Sequence, residues 1–296
     1  MSYRRLTADR WFVGRQVRED KAPFGQPLLL EINSLDLSVS YSVTDRWTVG
    51  ATLPFSRGTH SRFYADGRRH RVSATGLGDV SIVGSAWVLD PRSHPSGNVS
   101  VGVGVKSPSG RNDVRDTYFL PNGTTDFTVD QSIQLGDGGW GLVLQGHAFA
   151  RVRERVSGFA SGSYLVTPRN QSSVFQSPTG SLASVHVSIP DVFNASAGLS
   201  FDVSRRHGLA ASLSGRIDGI PTRDLVGRSD GFRRPVVLGY LEPSLTLTRG
   251  RRTVRLNAAA RIYEDFRPSL IDRQLGSAGG GDLARYLLFA AYQIRF

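Results

Sequence analysis

Long stretches of this chain place an apolar residue at every second position. From Phe193 to Val203 one set reads Phe193, Ala195, Ala197, Leu199, Phe201 and Val203; its complement is Asn194, Ser196, Gly198, Ser200 and Asp202. Val99, Val101, Val103 and Val105 alternate with Ser100, Gly102, Gly104 and Lys106, and Leu35, Leu37, Val39, Tyr41 and Val43 with Asp36, Ser38, Ser40 and Ser42. The segments 208–217 and 252–263 repeat the pattern, with Arg216, Arg255 and Arg261 in the polar set. A period of two predicts strands with one apolar and one polar face. The runs last about ten residues, whereas soluble strands usually have about five or six. A tilted strand crossing a bilayer needs about 9–11. The polar set is small and hydrophilic, as a wet interior requires. An arginine at the lipid midplane would cost roughly 2–4 kcal/mol, and all three arginines avoid it by falling on the polar side.

The connections sharpen this into an all-β, antiparallel transmembrane β-barrel. Thr44–Asp45, Ser204–His207 and Arg249–Arg251 are tight polar turns, whereas 57–75, 108–124, 218–234 and 264–283 are long and rich in Gly, Arg, Asp and Ser. Short periplasmic turns and long extracellular loops are the pattern of such barrels. Clear strands fall near 35–43, 46–56, 78–89, 98–107, 125–135, 140–151, 157–166, 192–203, 208–217, 235–248, 252–263 and 285–296. These twelve put the long connection 167–191 on the short-turn side. Adding 181–189 and Leu6–Gly14 restores the alternation, so fourteen strands are expected, with twelve as the alternative. The whole of 1–296 then reads as a single barrel domain, with 6–34 as a first strand and loop and 35–296 as the main barrel.

Composition removes the competing classes. No run approaches the 20 or so apolar residues of a membrane helix. With no cysteine there is neither a disulfide framework nor a thiolate metal site. The formal net charge of +11 invites a nucleic-acid reading. However, lysine occurs only at Lys21 and Lys106, and the arginines are spread along the chain rather than clustered among aromatics. No nucleic-acid partner is expected; the arginine bias points instead to a GC-rich genome. Residues 1–14 contain no apolar leader segment. The expected location is the bacterial outer membrane, with a leader removed or omitted and outer-membrane lipid as the first partner.

The last segment, Arg285-Tyr-Leu-Leu-Phe-Ala-Ala-Tyr-Gln-Ile-Arg-Phe296, puts Tyr286, Leu288, Ala290, Tyr292, Ile294 and Phe296 on one face. A terminal Phe closing such a strand resembles the C-terminal signal read by the barrel assembly machinery, which is the second expected partner. Trp47 and Phe55, at opposite ends of one strand face, suit interfacial girdles. Several motifs, in their order, resemble a family of outer-membrane proteins named for the meta-pathway of phenol degradation. They are Asp36-Leu-Ser-Val-Ser-Tyr-Ser-Val-Thr-Asp-Arg-Trp47 with Leu53-Pro-Phe55, then Gly76-Leu-Gly-Asp-Val80 and Val101-Gly-Val-Gly-Val-Lys-Ser-Pro-Ser-Gly110. Val129-Asp-Gln-Ser-Ile-Gln-Leu-Gly-Asp-Gly-Gly-Trp140 belongs with them, and in the second half Ile189-Pro-Asp191, Gly215–Asp224 and Gly231-Phe-Arg-Arg-Pro235 resemble uncharacterised members of similar type. The resemblance implies a barrel and a channel for hydrophobic or aromatic compounds, and it implies no catalytic residues.

No catalytic, cofactor or metal site is expected. Gly102-Val-Gly104 with Lys106-Ser107 lacks phosphate-loop spacing, and the six histidines lack metal-site spacing. The expected chemistry is a charged lumen or mouth, in the manner of the charged rings of pores. Its residues are Asp36, Asp202, Arg216, Asp218, Arg223, Asp224, Arg233, Arg234, Arg255 and Arg261. The expected activity is passive uptake of small molecules through a porin-like channel. The competing expectation is a filled barrel, structural or enzymatic. A lipid hydrolase, for example, would need His147 or His186 beside a serine.

Overall fold

The computed structural model describes residues 1–21, 25–176 and 185–296. Its main sheet holds β1 (Ser2–Ala8), β2 (Leu29–Ser42), β3 (Trp47–Phe63), β4 (Arg69–Leu77), β5 (Ser81–Trp87), β6 (Gly97–Lys106) and β7 (Gly141–Arg153). It continues with β8 (Val156–Val166), β9 (Val192–Ser204), β10 (Leu209–Ile220), β11 (Val236–Arg249), β12 (Arg252–Phe266) and β13 (Tyr286–Ile294). All pairings in this sheet are antiparallel. β1 closes it by pairing with β13, Ser2 opposite Ala291, and with β2, Ser2 opposite Asp36. The closed ring satisfies the backbone without a free edge, as a sheet in lipid must.

The ring has twelve strands, not fourteen, and β4 stands outside it. β4 pairs with the outer half of β3, Phe55 opposite Leu77, while β5 takes the lower half, Trp47 opposite Ala86. The chain passes from β4 to β5 where Gly78 N–H donates to the Pro54 carbonyl. The alternative of twelve had the right number with different members. The alternating segment 125–135 is no wall strand. Gly123–Thr128 forms a hairpin with Arg115–Leu120, and Gln131–Ile133 is a 3-10 turn. The missing member is β1, which starts at Ser2 rather than Leu6. Of the expected strand 181–189, residues 181–184 lie outside the described residues. Val185–Ser188 pairs with Gln171–Gln176 as a hairpin within the connection 167–191. That connection therefore joins the long-loop end, and the two termini lie at the short-turn end. The physical reason for the correction is that a hairpin folded over a wet mouth alternates as a wall strand does.

The alternation becomes two faces. Val39, Trp47, Val101, Val103 and Val203 are each more than half exposed on the outside of the ring. The buried apolar side chains gather instead on the inside, at the long-loop end. One cluster joins Phe12, Val236, Leu238, Tyr240, Phe266 and Leu287. The other joins Ala8, Leu30, Tyr64, Val72, Val129 and Ile133. Both combine inward wall positions with loop residues, so the long loops fold into the outer mouth. Gly58 of β3 makes room for this, because a Cβ there would lie 2.7 Å from Ile133. Among the described residues no helix is long and apolar enough to cross a membrane.

Candidate functional site

The lower part of the lumen is lined by small polar side chains bonded to each other. Ser161 and Ser196 hydroxyls lie 2.8 Å apart, and the Asn194 amide donates to Ser163 Oγ at 2.6 Å. Beside them, with Arg216 opposite Ser196 and Asp218 opposite Asn194, lies a ladder of charge. Arg216 donates to Asp218 at 2.9 Å, lies 3.8 Å from Glu242, and stacks its guanidinium over Phe289. Asn257 donates to Glu242 at 2.5 Å. Arg4 of β1, hydrogen-bonded only weakly to Ser34 at 3.5 Å, has Asp36, Arg216 and Asp218 as its charged neighbours. The ladder is mixed in sign.

The ten charged residues expected in the lumen or mouth separate into four groups. Asp36, Arg216, Asp218 and Arg255 are on the inner face of the wall, with Arg255 donating to Thr246 Oγ1 at 3.3 Å. Asp202 lies near the short-turn end and pairs with Arg205 at 3.3 Å. Arg261 also points inward, but loops cover it. Its guanidinium bonds the Leu283 carbonyl at 2.7 Å, lies 4.6 Å from the Phe12 ring centroid, and keeps 4% side-chain exposure. Asp224, Arg233 and Arg234 belong to the folded loops, and Arg223 is exposed there.

The loops are held by buried charge. Arg233 and Asp224 form a bidentate pair at 2.5 Å with 1% exposure on each side chain, and Arg233 also donates to Ser188 Oγ. Arg234 grips Asp130 through two bonds of 3.0 and 3.1 Å, tying loop 221–235 to loop 107–140. Burial opposes charge on Asp130, yet Arg234, assisted by His60 and the Ser132 N–H, holds its carboxyl well below the ordinary range. Burial likewise opposes charge on Asp224, and Arg233 with the Asp191 N–H brings it down.

A third anchor joins loop to wall. Lys106, the last residue of β6, places its Nζ 2.5 Å from Asp137 and 3.2 Å from Asp79. Burial pushes the Asp137 carboxyl up despite the lysine. Asp79 also accepts from the backbone N–H groups of Gly110 and Asp137. This triad, the Asp130–Arg234 link and Asp282 were not singled out from sequence. The available signal was Lys106 itself, the lone lysine on an inward strand position.

Between these anchors lies a cavity of about 550 Å³, within the size range of small-molecule sites. Its wall mixes Leu135, Val187, Ile220, Phe266 and Leu283 with Arg4, Asp79, Asn112, Gln131, Asp137, Arg234 and Asp282. Asp282 accepts from the Arg10 N–H, while its Oδ1 has no partner. Burial pushes this carboxyl up to about 8, with Asp9 adding to the effect and the Arg10 N–H, Arg261 and Arg234 opposing it. Among the described residues no hydrogen bond joins His147 to a serine, although Ser161 and Ser100 are its cross-strand partners. Its ring meets Trp87, and the hydroxyl of its cross-strand partner Ser161 is engaged with Ser196. Among the described residues no His, Asp and Glu cluster could hold a metal.

No protein-family model matches the chain, and no curated protein matches it. Among solved structures, the COG4313 outer membrane channel from Pseudomonas putida F1 is similar over 99% of this chain and 94% of its own. The identity is 12% and the TM-score 0.62. A FadL homologue from Pseudomonas aeruginosa covers 98% of this chain and 88% of its own, at 9% identity and a TM-score of 0.45. The translocator domain of the autotransporter NalP from Neisseria meningitidis covers 100% and 87%, at 14% and 0.47. The first of these shows the fold alone, a closed antiparallel β-barrel.

Proposed function

We propose that this chain is an outer-membrane channel through which small molecules diffuse passively, entering by way of the loop-lined cavity. The observation that carries the reading is the inner face of the ring. It is polar and charged below, and it meets at the outer mouth a cavity of about 550 Å³ with mixed apolar and polar walls. A wall with mostly apolar area and a few placed polar groups suits small molecules that have an apolar body and one or two hydrogen-bonding groups. The resemblance to the phenol meta-pathway family supports hydrophobic or aromatic permeants, and the fold of the Pseudomonas putida channel supports the channel class.

The filled-barrel reading is favoured by one observation, the buried pairing of the loops. Conductance in planar bilayers separates the two. The wild type gives small unitary steps, because the loops narrow the mouth. Lys106→Met leaves Asp79 and Asp137 without their shared cation, frees loop 107–140 from the wall, and enlarges the steps. Absence of conductance in both proteins would establish the filled barrel.

A further inference from the structure

On the outer face, the change from apolar to polar can be followed strand by strand. β3 presents Trp47, Val49, Ala51, Leu53 and Phe55 outward and then Arg57; β2 presents Tyr41, Val39, Leu37 and Leu35 and then Asn33. β1 presents Tyr3 and then Arg5. The apolar run of β3 spans the nine or so residues that cross a bilayer core, so Arg57 stands at its long-loop boundary. Arg5, Asn33 and Arg57 are successive partners across three strands, which puts the two arginine backbones roughly 10 Å apart. Both side chains can therefore reach one group between them.

The site is arranged, not only charged. The Tyr3 hydroxyl donates to Asn33 Oδ1 at 2.6 Å, which leaves the Asn33 amide N–H groups as donors between the two guanidinia. Arg57 has no hydrogen bond or ion pair among the described residues, and Arg5 has only Glu31 at 3.8 Å, a loose and exposed contact. Two neighbouring outward tyrosines carry further arginines on their rings: Arg285 over Tyr286 at 5.3 Å and Arg15 over Tyr263 at 5.1 Å. Such stacking holds a guanidinium in place and leaves its N–H edge free. The result is a cationic arc across β12, β13, β1, β2 and β3, directly above the lipid-facing band.

We propose that Arg5, Asn33 and Arg57 form a binding site for a phosphate group of the phosphorylated saccharide lipid that makes up the outer leaflet. Arginine meets phosphate through paired charge-assisted hydrogen bonds, and the depth at the edge of the apolar band matches that of a lipid headgroup. The acyl chains would lie along Leu35, Phe55 and Leu77 beneath. The proposal rests on outer-membrane orientation and is independent of whether the lumen conducts.

The test uses the full chain in a non-ionic detergent, with bound lipid counted by native mass spectrometry. The probes are diphosphoryl lipid A, its dephosphorylated form and phosphatidylglycerol. Diphosphoryl lipid A is expected to bind at least about tenfold tighter than either comparison, the scale of one charge-assisted bond of about 1.4 kcal/mol or more. Arg5→Gln with Arg57→Gln removes that preference, Arg5→Lys with Arg57→Lys restores part of it, and Arg249→Gln at the opposite rim leaves it unchanged. Equal retention of the dephosphorylated lipid, undiminished binding by the Gln pair, equal binding of phosphatidylglycerol, or full displacement by millimolar inorganic phosphate would each overturn the proposal. Heat-modifiable migration of the barrel on gels confirms that each variant is folded.

Discussion

At the residue scale, the loop anchors differ in what their loss does. Arg233 and Asp224 are both 1% exposed and satisfy each other. Removing one partner leaves a buried uncompensated charge, at a cost of about 3–5 kcal/mol. Arg233→Met is therefore expected to loosen loop 221–235, read as faster hydrogen exchange there, while the wall strands keep their protection. The double change Arg233→Met with Asp224→Leu should recover much of the protection, because no charge is then stranded. Asp282 behaves in the opposite sense to a paired carboxylate. Its folded value, near 8, is above its ordinary value of 3.8, so the folded form retains a proton that the unfolded form has lost. Its contribution to stability is consequently best below about pH 4 and falls as pH rises toward 8. Protection of the 9–18 and 267–285 segments should decline over that window, and Asp282→Asn should flatten the decline. An unchanged slope in the variant would remove Asp282 as the cause.

At the element scale, the strands are where sequence was most legible. The odd positions of β9 face out and the even positions face in, as the alternation predicts: Leu199, Phe201 and Val203 are all more than 40% exposed. Spin labels at 195, 197 and 199 should be accessible to oxygen from lipid, and those at 196 and 198 to water-soluble reagents; equal accessibility on both faces would contradict the barrel wall. β13 keeps Tyr286, Leu288, Tyr292 and Ile294 outside, and Phe296 is fully exposed. Because Phe296 packs on nothing, Phe296→Ala should change folded stability by less than about 0.5 kcal/mol. If the terminal residue is read by the assembly machinery, pulse-chase insertion in cells slows all the same; unchanged insertion kinetics would remove that role. Legibility failed where alternation has two causes. The hairpin Arg115–Leu120 with Gly123–Thr128 alternates because it caps a wet mouth, and only its partners separate it from a wall strand. β1 was half hidden, since its outward set Tyr3, Arg5, Thr7 and its inward set Arg4, Leu6, Ala8 each mix apolar with charged or polar residues. The loop contacts, Asp130 with Arg234 and Lys106 with Asp79 and Asp137, join residues far apart in sequence. No local period encodes them.

At the scale of the whole molecule, the proposed channel function turns on the balance of charge along the lumen. Arg4, Arg216 and Arg255 are among the inward arginines that the loops leave uncovered, whereas Arg261 is capped by Phe12 and the Leu283 carbonyl. Opposite them stand Asp36, Asp218 and Glu242, the last two already engaged with Arg216. Three such cations against three acids, with Arg151 and Asp202 adding one of each nearer the short-turn end, give little net field, so the proposed channel should discriminate only weakly between small anions and cations. Changing Arg4, Arg216 and Arg255 together to Gln leaves the acids in place and keeps a polar side chain at each position, with loss of the Arg216 stacking on Phe289. In a salt gradient at 0.1 M the reversal potential should then move toward the cation value. The shift should shrink at 1 M, where screening shortens to about 3 Å. Including Arg261→Gln should add little, because that guanidinium is spent on loop contacts rather than on the permeation path. A triple variant that conducts with unchanged ion preference would mean that permeants pass elsewhere than along this charge ladder.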